Sequence, residues 1–98
     1  MSGPLDGIRI VDLSVALTGP LAAGMLVDQG ADCVKVEQAP TGDVVRWLGS
    51  TVAGISAMFQ AANRGKRSIV LDLRQADGIA ILRDLVADAD VLVQNFRP

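Results

Sequence analysis

Ninety-eight residues suffice for one domain with a modest core. Half of them are hydrophobic and only three aromatic, which suits aliphatic helices laid on a sheet better than a sandwich or a nucleic-acid reader. A net charge of −2 with nine Lys and Arg excludes the broadly basic surface that general polyanion binding needs. The lone cysteine, Cys33, forms no internal disulfide and fits a reducing cytoplasm. The opening residues do not read as a secretory leader, and no apolar run approaches the ~20 residues of a membrane-spanning helix.

Residues 8 to 13, an apolar run broken by Arg9 and Asp12, predict a first strand, and Ser14 to Gly19 its exit loop. Pro20 suits the first turn of a helix capped by Thr18 or Gly19, and Gly30 its end. Leu21, Met25 and Leu26 give that helix an apolar face, while Ala22, Ala23 and Gly24 permit close approach to a sheet. Asp32 to Val36 predict a second strand, followed by Glu37 and the turn formers Ala39 to Asp43, so the first three elements make a right-handed βαβ unit. Ile55, Met58, Phe59 and Ala62 fall at helical spacing and predict a second helix ending at Gly65, before a third strand over 68–73. Ile79, Leu82 and Val86, with Asp77 in the first turn, predict a third helix over 75–88, and Val91 to Gln94 a fourth strand. Continuous apolar strands alternating with helices imply an α/β fold, a parallel sheet of about four strands covered on both faces. Ending straight after the fourth strand predicts an uncovered face or edge, and a chain that is the front part of something longer.

Two places carry chemistry-bearing side chains next to a strand. Asn63-Arg64-Gly65-Lys66-Arg67-Ser68 feeds the third strand and Gln94-Asn95-Phe96-Arg97 leaves the fourth. Ligands of open parallel sheets bind at strand ends, and the group Arg64, Lys66, Arg67, Arg74 and Arg97 reads either as a phosphate-binding surface or as a solvated cationic face. Gly19 to Gly24 has the glycine spacing of a phosphate loop, but Met25-Leu26 stands where Lys and Ser or Thr belong, and GxGxxG is absent after the first strand. Tight helix packing is the expected role of these glycines. Glu37 is expected to cap or to form a salt bridge, and Asp12 and Asp72, inside apolar strands, to accept backbone hydrogen bonds or pair with arginine. With no histidine and one cysteine, a catalytic triad and a transition-metal site are excluded.

Read in order, Pro4 to Ser14, Gly19-Pro20, Gly30 to Glu37, Gly42-Asp43, Asn63 to Ser68, and Ala89-Asp90-Val91 through Asn95-Phe96-Arg97-Pro98 resemble the start of a family III CoA-transferase. This family includes formyl-CoA transferase and carnitine CoA-transferase and shares its scaffold with α-methylacyl-CoA racemase. The resemblance implies that residues 1–98 are the Rossmann-like, CoA-binding N-terminal portion of a larger fold whose two copies interlock as a cytoplasmic homodimer. It implies coenzyme A or acyl-CoA as substrate with no permanently bound cofactor, a carboxylic acid as acceptor, and neither nucleic acid nor membrane as partner. Carried over by position, Ala16 and Gln38 in the first two exit loops, Leu71 and Arg74 at the third, and Asn95 and Phe96 at the fourth, with Arg97 beside them, would face one CoA. Leu71 and Phe96 would line an adenine slot, and Arg74 would balance phosphate charge. Gln38 stands where formyl-CoA transferase has an arginine, which weakens one phosphate contact, and Leu17 replaces its glutamine near the acyl end, which argues against formyl-CoA as substrate. The family's nucleophilic aspartate lies beyond Pro98, so this stretch holds no catalytic residue and is expected to be inactive alone. A racemase of the same scaffold and a non-catalytic binding or assembly module are the alternatives.

Overall fold

The computed structural model describes residues 3–49, 51, 52 and 54–98. In chain order the elements are β1 (Arg9–Asp12), α1 (Thr18–Asp28), β2 (Asp32–Gln38), a 3-10 turn (Val44–Trp47), β3 (Thr51–Val52), β4 (Ile55–Ser56), α2 (Ala57–Asn63), β5 (Arg67–Leu71), α3 (Ala76–Ala87) and β6 (Val91–Val93). The four longer strands pair in parallel in the order β5-β2-β1-β6. The chain thus steps outward from β1 to β5, then crosses back under α3 to lay β6 on the other side of β1. Among the described residues no helix is long and apolar enough to cross a membrane.

The alternation of side chains along each strand sorts the core into two layers. On one face Ile10 and Cys33 pack against Val27 and Ala31, with Leu26 of α1 over them. On the other, Val11, Val36 and Leu71 pack against Leu82, Leu85 and Val86 of α3. Small residues set the helix spacing as the sequence suggests. A Cβ at Gly24 would stand 3.0 Å from the Ala62 carbonyl oxygen of α2, and one at Gly19 only 2.3 Å from the Ser14 Cβ. Gly30, with φ +108°, and Gly65, with φ +81°, turn the chain out of α1 and α2.

Two details depart from the sequence pattern. Ile55 heads β4 instead of α2, because β3 and β4 pair antiparallel, Thr51 with Ser56 and Val52 with Ile55. The Ser56 hydroxyl then caps α2 by accepting from the Phe59 amide at 3.3 Å. Asp72 lies past the end of β5 and is partly exposed, because its carboxylate accepts the Arg74 amide at 3.0 Å and draws the backbone into a turn.

The α1 face of the sheet is polar toward its exit end. Asp12, Lys35 and Ser68 stand in register on neighbouring strands, and each cation there meets its own carboxylate. Lys66 Nζ, on a side chain only 1% exposed, donates to Asp12 Oδ2 at 2.7 Å, Asn63 Oδ1 at 2.8 Å and the Pro20 carbonyl at 2.9 Å, which uses all three ammonium hydrogens. Asp12 thus accepts a backbone hydrogen bond, from the Ser14 amide at 2.9 Å, as the sequence reading allowed, and the cation it pairs with is lysine instead of arginine. Glu37 accepts from Arg46 Nε at 2.6 Å and Nη2 at 2.7 Å, from the Asp43 amide at 2.9 Å and from the Ser68 hydroxyl. Arg46 also stacks on an aromatic face, its guanidinium carbon 3.7 Å from the Phe59 ring centre.

Burial alone would push the Glu37 carboxyl up. The hydrogen bonds from Arg46, Ser68 and the Asp43 amide, with the Arg46 charge, outweigh it and lower the pKa from 4.5 to about 2. A folded pKa below the unfolded value gives stability that is complete above pH 4.5 and is lost as pH falls toward 2. Glu37→Gln is expected to cost about 2 kcal/mol at pH 7. In urea unfolding, the difference between wild type and variant should stay constant above pH 5 and close below about 4.5. A gap independent of pH down to 3 contradicts the ion pair.

Gly78, in the first turn of α3, has no room for a side chain: a Cβ there would stand 2.1 Å from the Asp72 carbonyl oxygen. Helix propensity favours alanine over glycine by about 1 kcal/mol. Gly78→Ala is nonetheless expected to lower the melting temperature by about 10 °C, as backbone overlap outweighs propensity. A melting temperature at or above wild type would show the approach to be relaxed.

Candidate functional site

Strand order reverses at β1, whose neighbours β2 and β6 lead to opposite sides, so a crevice opens between the exits of β1 and β6. Leu13 extends the pairing by donating to the Val93 carbonyl at 2.8 Å. Beyond it, three successive backbone amides are each held by a side chain from a different segment. Ser14 N–H donates to Asp12 Oδ1 at 2.9 Å, Val15 N–H to Asn95 Oδ1 at 2.9 Å, and Ala16 N–H to Asp43 Oδ1 at 3.0 Å. Asn95 completes a two-point clasp by donating Nδ2 to the Val15 carbonyl at 2.9 Å. Gly19 closes the group, since a Cβ there would meet Asn95 Cγ at 3.3 Å as well as Ser14. The clasp needs an amide side chain, donor and acceptor together, which a carboxylate does not supply.

At the second exit Gln38 is exposed, and the next residue, Ala39, donates to the Leu71 carbonyl at 3.0 Å, linking the exits of β2 and β5. At the third, the Leu71 side chain is 6% exposed and packs into the α3 layer. Phe96 is by contrast 52% exposed, so the two side chains are not equal walls of one slot. Arg74 is exposed and hydrogen-bonded to Asp72 through Nε at 3.0 Å. The Arg74 hydrogen bonds hold the Asp72 carboxyl below its ordinary range, and Asp72 raises the guanidinium in turn. At the fourth exit the Phe96 amide donates to Gln94 Oε1 at 2.8 Å, and Arg97 is exposed with no ion pair among the described residues.

The cationic turn ahead of β5 does not join this edge. It enters the strand instead of leaving it, and its charges are answered within the chain: Arg64 by Asp28 at 3.1 Å, Arg67 by Asp32 at 2.8 Å, and Lys66 by buried Asp12. The strongest charge signal of the sequence is thus structural, and of the five cations only Arg74 and Arg97 stand exposed at the exit side, where Lys66 arrives buried against Asp12. A groove of about 480 Å3 lies at the entering end, between α3 and the sheet, walled by Arg9, Asp32 and Arg67 over Val11, Val34 and Leu85. The exit edge is an open surface by comparison, yet the ordered loop amides and the free aromatic ring stand there. Cys33 offers no nucleophile, because burial first, and the Asp12 charge second, push its thiol up to about 11.

Sequence reasoning singled out Ala16 and Asn95 but missed Lys35 and Asp43, which complete the loop. Lys35, 1% exposed, places Nζ 2.8 Å from Asp43 Oδ2 and donates to the Ser14 carbonyl at 3.1 Å. The contact with Oδ2 is an ion pair without an aligned hydrogen bond. A lysine amid Cys33-Val34 and Val36 was the available signal, since a buried ammonium demands a carboxylate.

Residues 5–98 match the profile of CoA-transferase family III. The chain is 45% identical over 101 aligned residues to a succinate–glutarate CoA-transferase of Agrobacterium fabrum, covering 96% of this chain and 25% of that protein. It is 44% identical to an acetyl-CoA:oxalate CoA-transferase of Acetobacter aceti, over 98% of this chain and 25% of the relative. Among solved structures, a CaiB/BaiF family protein from Brucella suis superposes with a TM-score of 0.89 at 46% identity, over 98% of this chain and 26% of that one. The chain therefore spans about a quarter of the length of the relatives it matches. A parallel sheet reversing at β1, and a profile that runs from Leu5 to the last residue, identify the chain as a member of CoA-transferase family III.

Proposed function

We propose that the exit edge of this sheet binds the coenzyme A part of an acyl-CoA, within an enzyme that moves CoA between carboxylic acids. The observation that carries the reading is the clasped loop at the β1/β6 crevice, where Asn95, Asp12 and Asp43 fix the backbone of residues 14 to 16. Strand spacing sets the scale: four exits in a row span roughly 14 Å. That suits an extended ligand such as CoA better than a compact one. Ala16 and Leu17 would meet the acyl and pantetheine end, and Phe96 the adenine. Gln38, Arg74 and Arg97 would meet the polar and phosphate groups.

Arg74 is available because its pair with Asp72 is exposed, and such pairs are worth little in water. A phosphate offering several oxygens competes with the carboxylate at small cost. Leu17 is 40% exposed and presents an apolar side chain, which favours an acyl group larger than formyl.

The chemistry attributed to the family is covalent: a carboxylate attacks the thioester, a mixed anhydride forms as CoA thiolate leaves, and the thiolate returns to the enzyme-side carbonyl, expelling the donor's carboxylate and leaving an enzyme thioester. The buried carboxylates here are unsuited to that attack. Asp12, Asp43 and Glu37 are each committed to a cation and to backbone or side-chain donors. On this reading the nucleophile is an aspartate outside residues 1–98, the whole protein is a cytoplasmic homodimer, and this stretch alone does not turn over.

Isothermal titration of the chain with free CoA is expected to give weak binding, in the range of about 10 μM to 1 mM. Arg74→Ala should weaken it by roughly threefold to tenfold and flatten its salt dependence. Absence of heat above dilution with CoA in the millimolar range rejects the reading.

A further inference from the structure

On the reading that the exit edge binds CoA, we infer that Asp43, held by Lys35, is a positioning residue that fixes Ala16 in the left-handed conformation in which the loop meets its ligand. Ala16 has φ +67°, the only positive φ at a non-glycine position among the described residues, where six other turns use glycine. For an alanine that conformation is disfavoured roughly fivefold to thirtyfold. What holds it is on the far side of the loop from solvent. Asp43 Oδ1 accepts the Ala16 N–H at 3.0 Å and the Val45 N–H at 3.0 Å, while Oδ2 faces Lys35 Nζ at 2.8 Å. Lys35 Nζ also takes the Ser14 carbonyl at 3.1 Å, so the pair grips the loop on both sides of Val15.

Neither residue of the pair can be a ligand contact, since each side chain is 1% exposed. Both act through the loop. A turn needed only to redirect the chain is served by glycine, which keeps access to many backbone conformations. An alanine tied by its amide to a buried carboxylate has one, and a loop ordered before the ligand arrives does not spend binding energy on ordering.

Two double variants separate the anchor from the charge. Lys35→Met/Asp43→Asn removes the ion pair and the Lys35 bond to the Ser14 carbonyl but keeps an oxygen for the Ala16 amide, whereas Lys35→Met/Asp43→Leu removes that oxygen too, so the Asp43 anchor is what differs between them. Free CoA, titrated calorimetrically into each, is expected to bind the asparagine double within about threefold of wild type and the leucine double roughly tenfold more weakly, the cost of one lost anchoring hydrogen bond. Hydrogen exchange at the Ala16 amide should quicken only in the leucine double. Adding Ala16→Gly to the leucine double should recover about threefold in affinity, because glycine reaches the left-handed region unaided; a purely structural role for Asp43 predicts no recovery. If the leucine double does not fold, Lys35→Met/Asp43→Ala makes the same comparison. Equal CoA affinity of the two doubles, or no recovery with glycine, overturns the inference. Failure of the wild type to bind CoA instead rejects the functional reading beneath it.

Discussion

Three buried or half-buried ion pairs on one face of the sheet, Asp12–Lys66, Lys35–Asp43 and Glu37–Arg46, hold the rest of the molecule in place. A parallel sheet is ordinarily roofed by apolar helices, and the α3 face here follows that rule. The opposite face is apolar only near the strand entrances, under α1. Toward the exits, the 3-10 turn is held by the ion pair of Arg46 with Glu37, and the end of α2 by the hydrogen bond of Asn63 with Lys66. Buried pairs add little net stability over apolar packing of the same shape, but they tolerate only one arrangement, because a mispaired ammonium or carboxylate in the interior costs several kcal/mol. The long passage from β2 to β5 is therefore fastened at fixed points, although it contains strands of only two residues.

The same fastening reaches the exit edge. Asp43 ends the ion-pair row and begins the loop anchor, and Asp12 carries Lys66 on one oxygen and the Ser14 amide on the other. Core and site share side chains, so the loop at the crevice inherits the rigidity of the interior. Asn95 ties in β6 from the far side, and that short strand, exposed at Val91 and Leu92, gains from the clasp a second point of attachment.

Much of the fold was readable because its strands and helices announce themselves by period. Ile10, Val11, Val34 and Val36 sit in short apolar runs, and Leu82, Leu85 and Val86 in a helical stripe. The resemblance to CoA-transferases, carried by motifs strung along the chain, was likewise legible and the family profile bears it out. The β3–β4 hairpin was not, since two residues per strand hold no period and Ile55 happens to continue the spacing of α2. The cationic run 64–67 misled for a different reason. Sequence shows where charges are and not which carboxylate answers them, and Asp12, Asp28 and Asp32 approach from as many as 54 positions away. Lys35 and Asp43 were noted only as parts of family motifs, because the sequence does not show that the lysine buried among Cys33, Val34 and Val36 meets a carboxylate eight positions on.

Arg74 has a resident counter-ion in Asp72, on the exposed turn leaving β5. An arriving phosphate would then trade places with a carboxylate two residues away in the chain, and on departure the carboxylate would reclaim its partner. The guanidinium would not be left stranded, and release would cost little. On the proposed reading, in which this edge holds coenzyme A, a modest grip with a ready substitute would suit a carrier that has to be surrendered in every cycle.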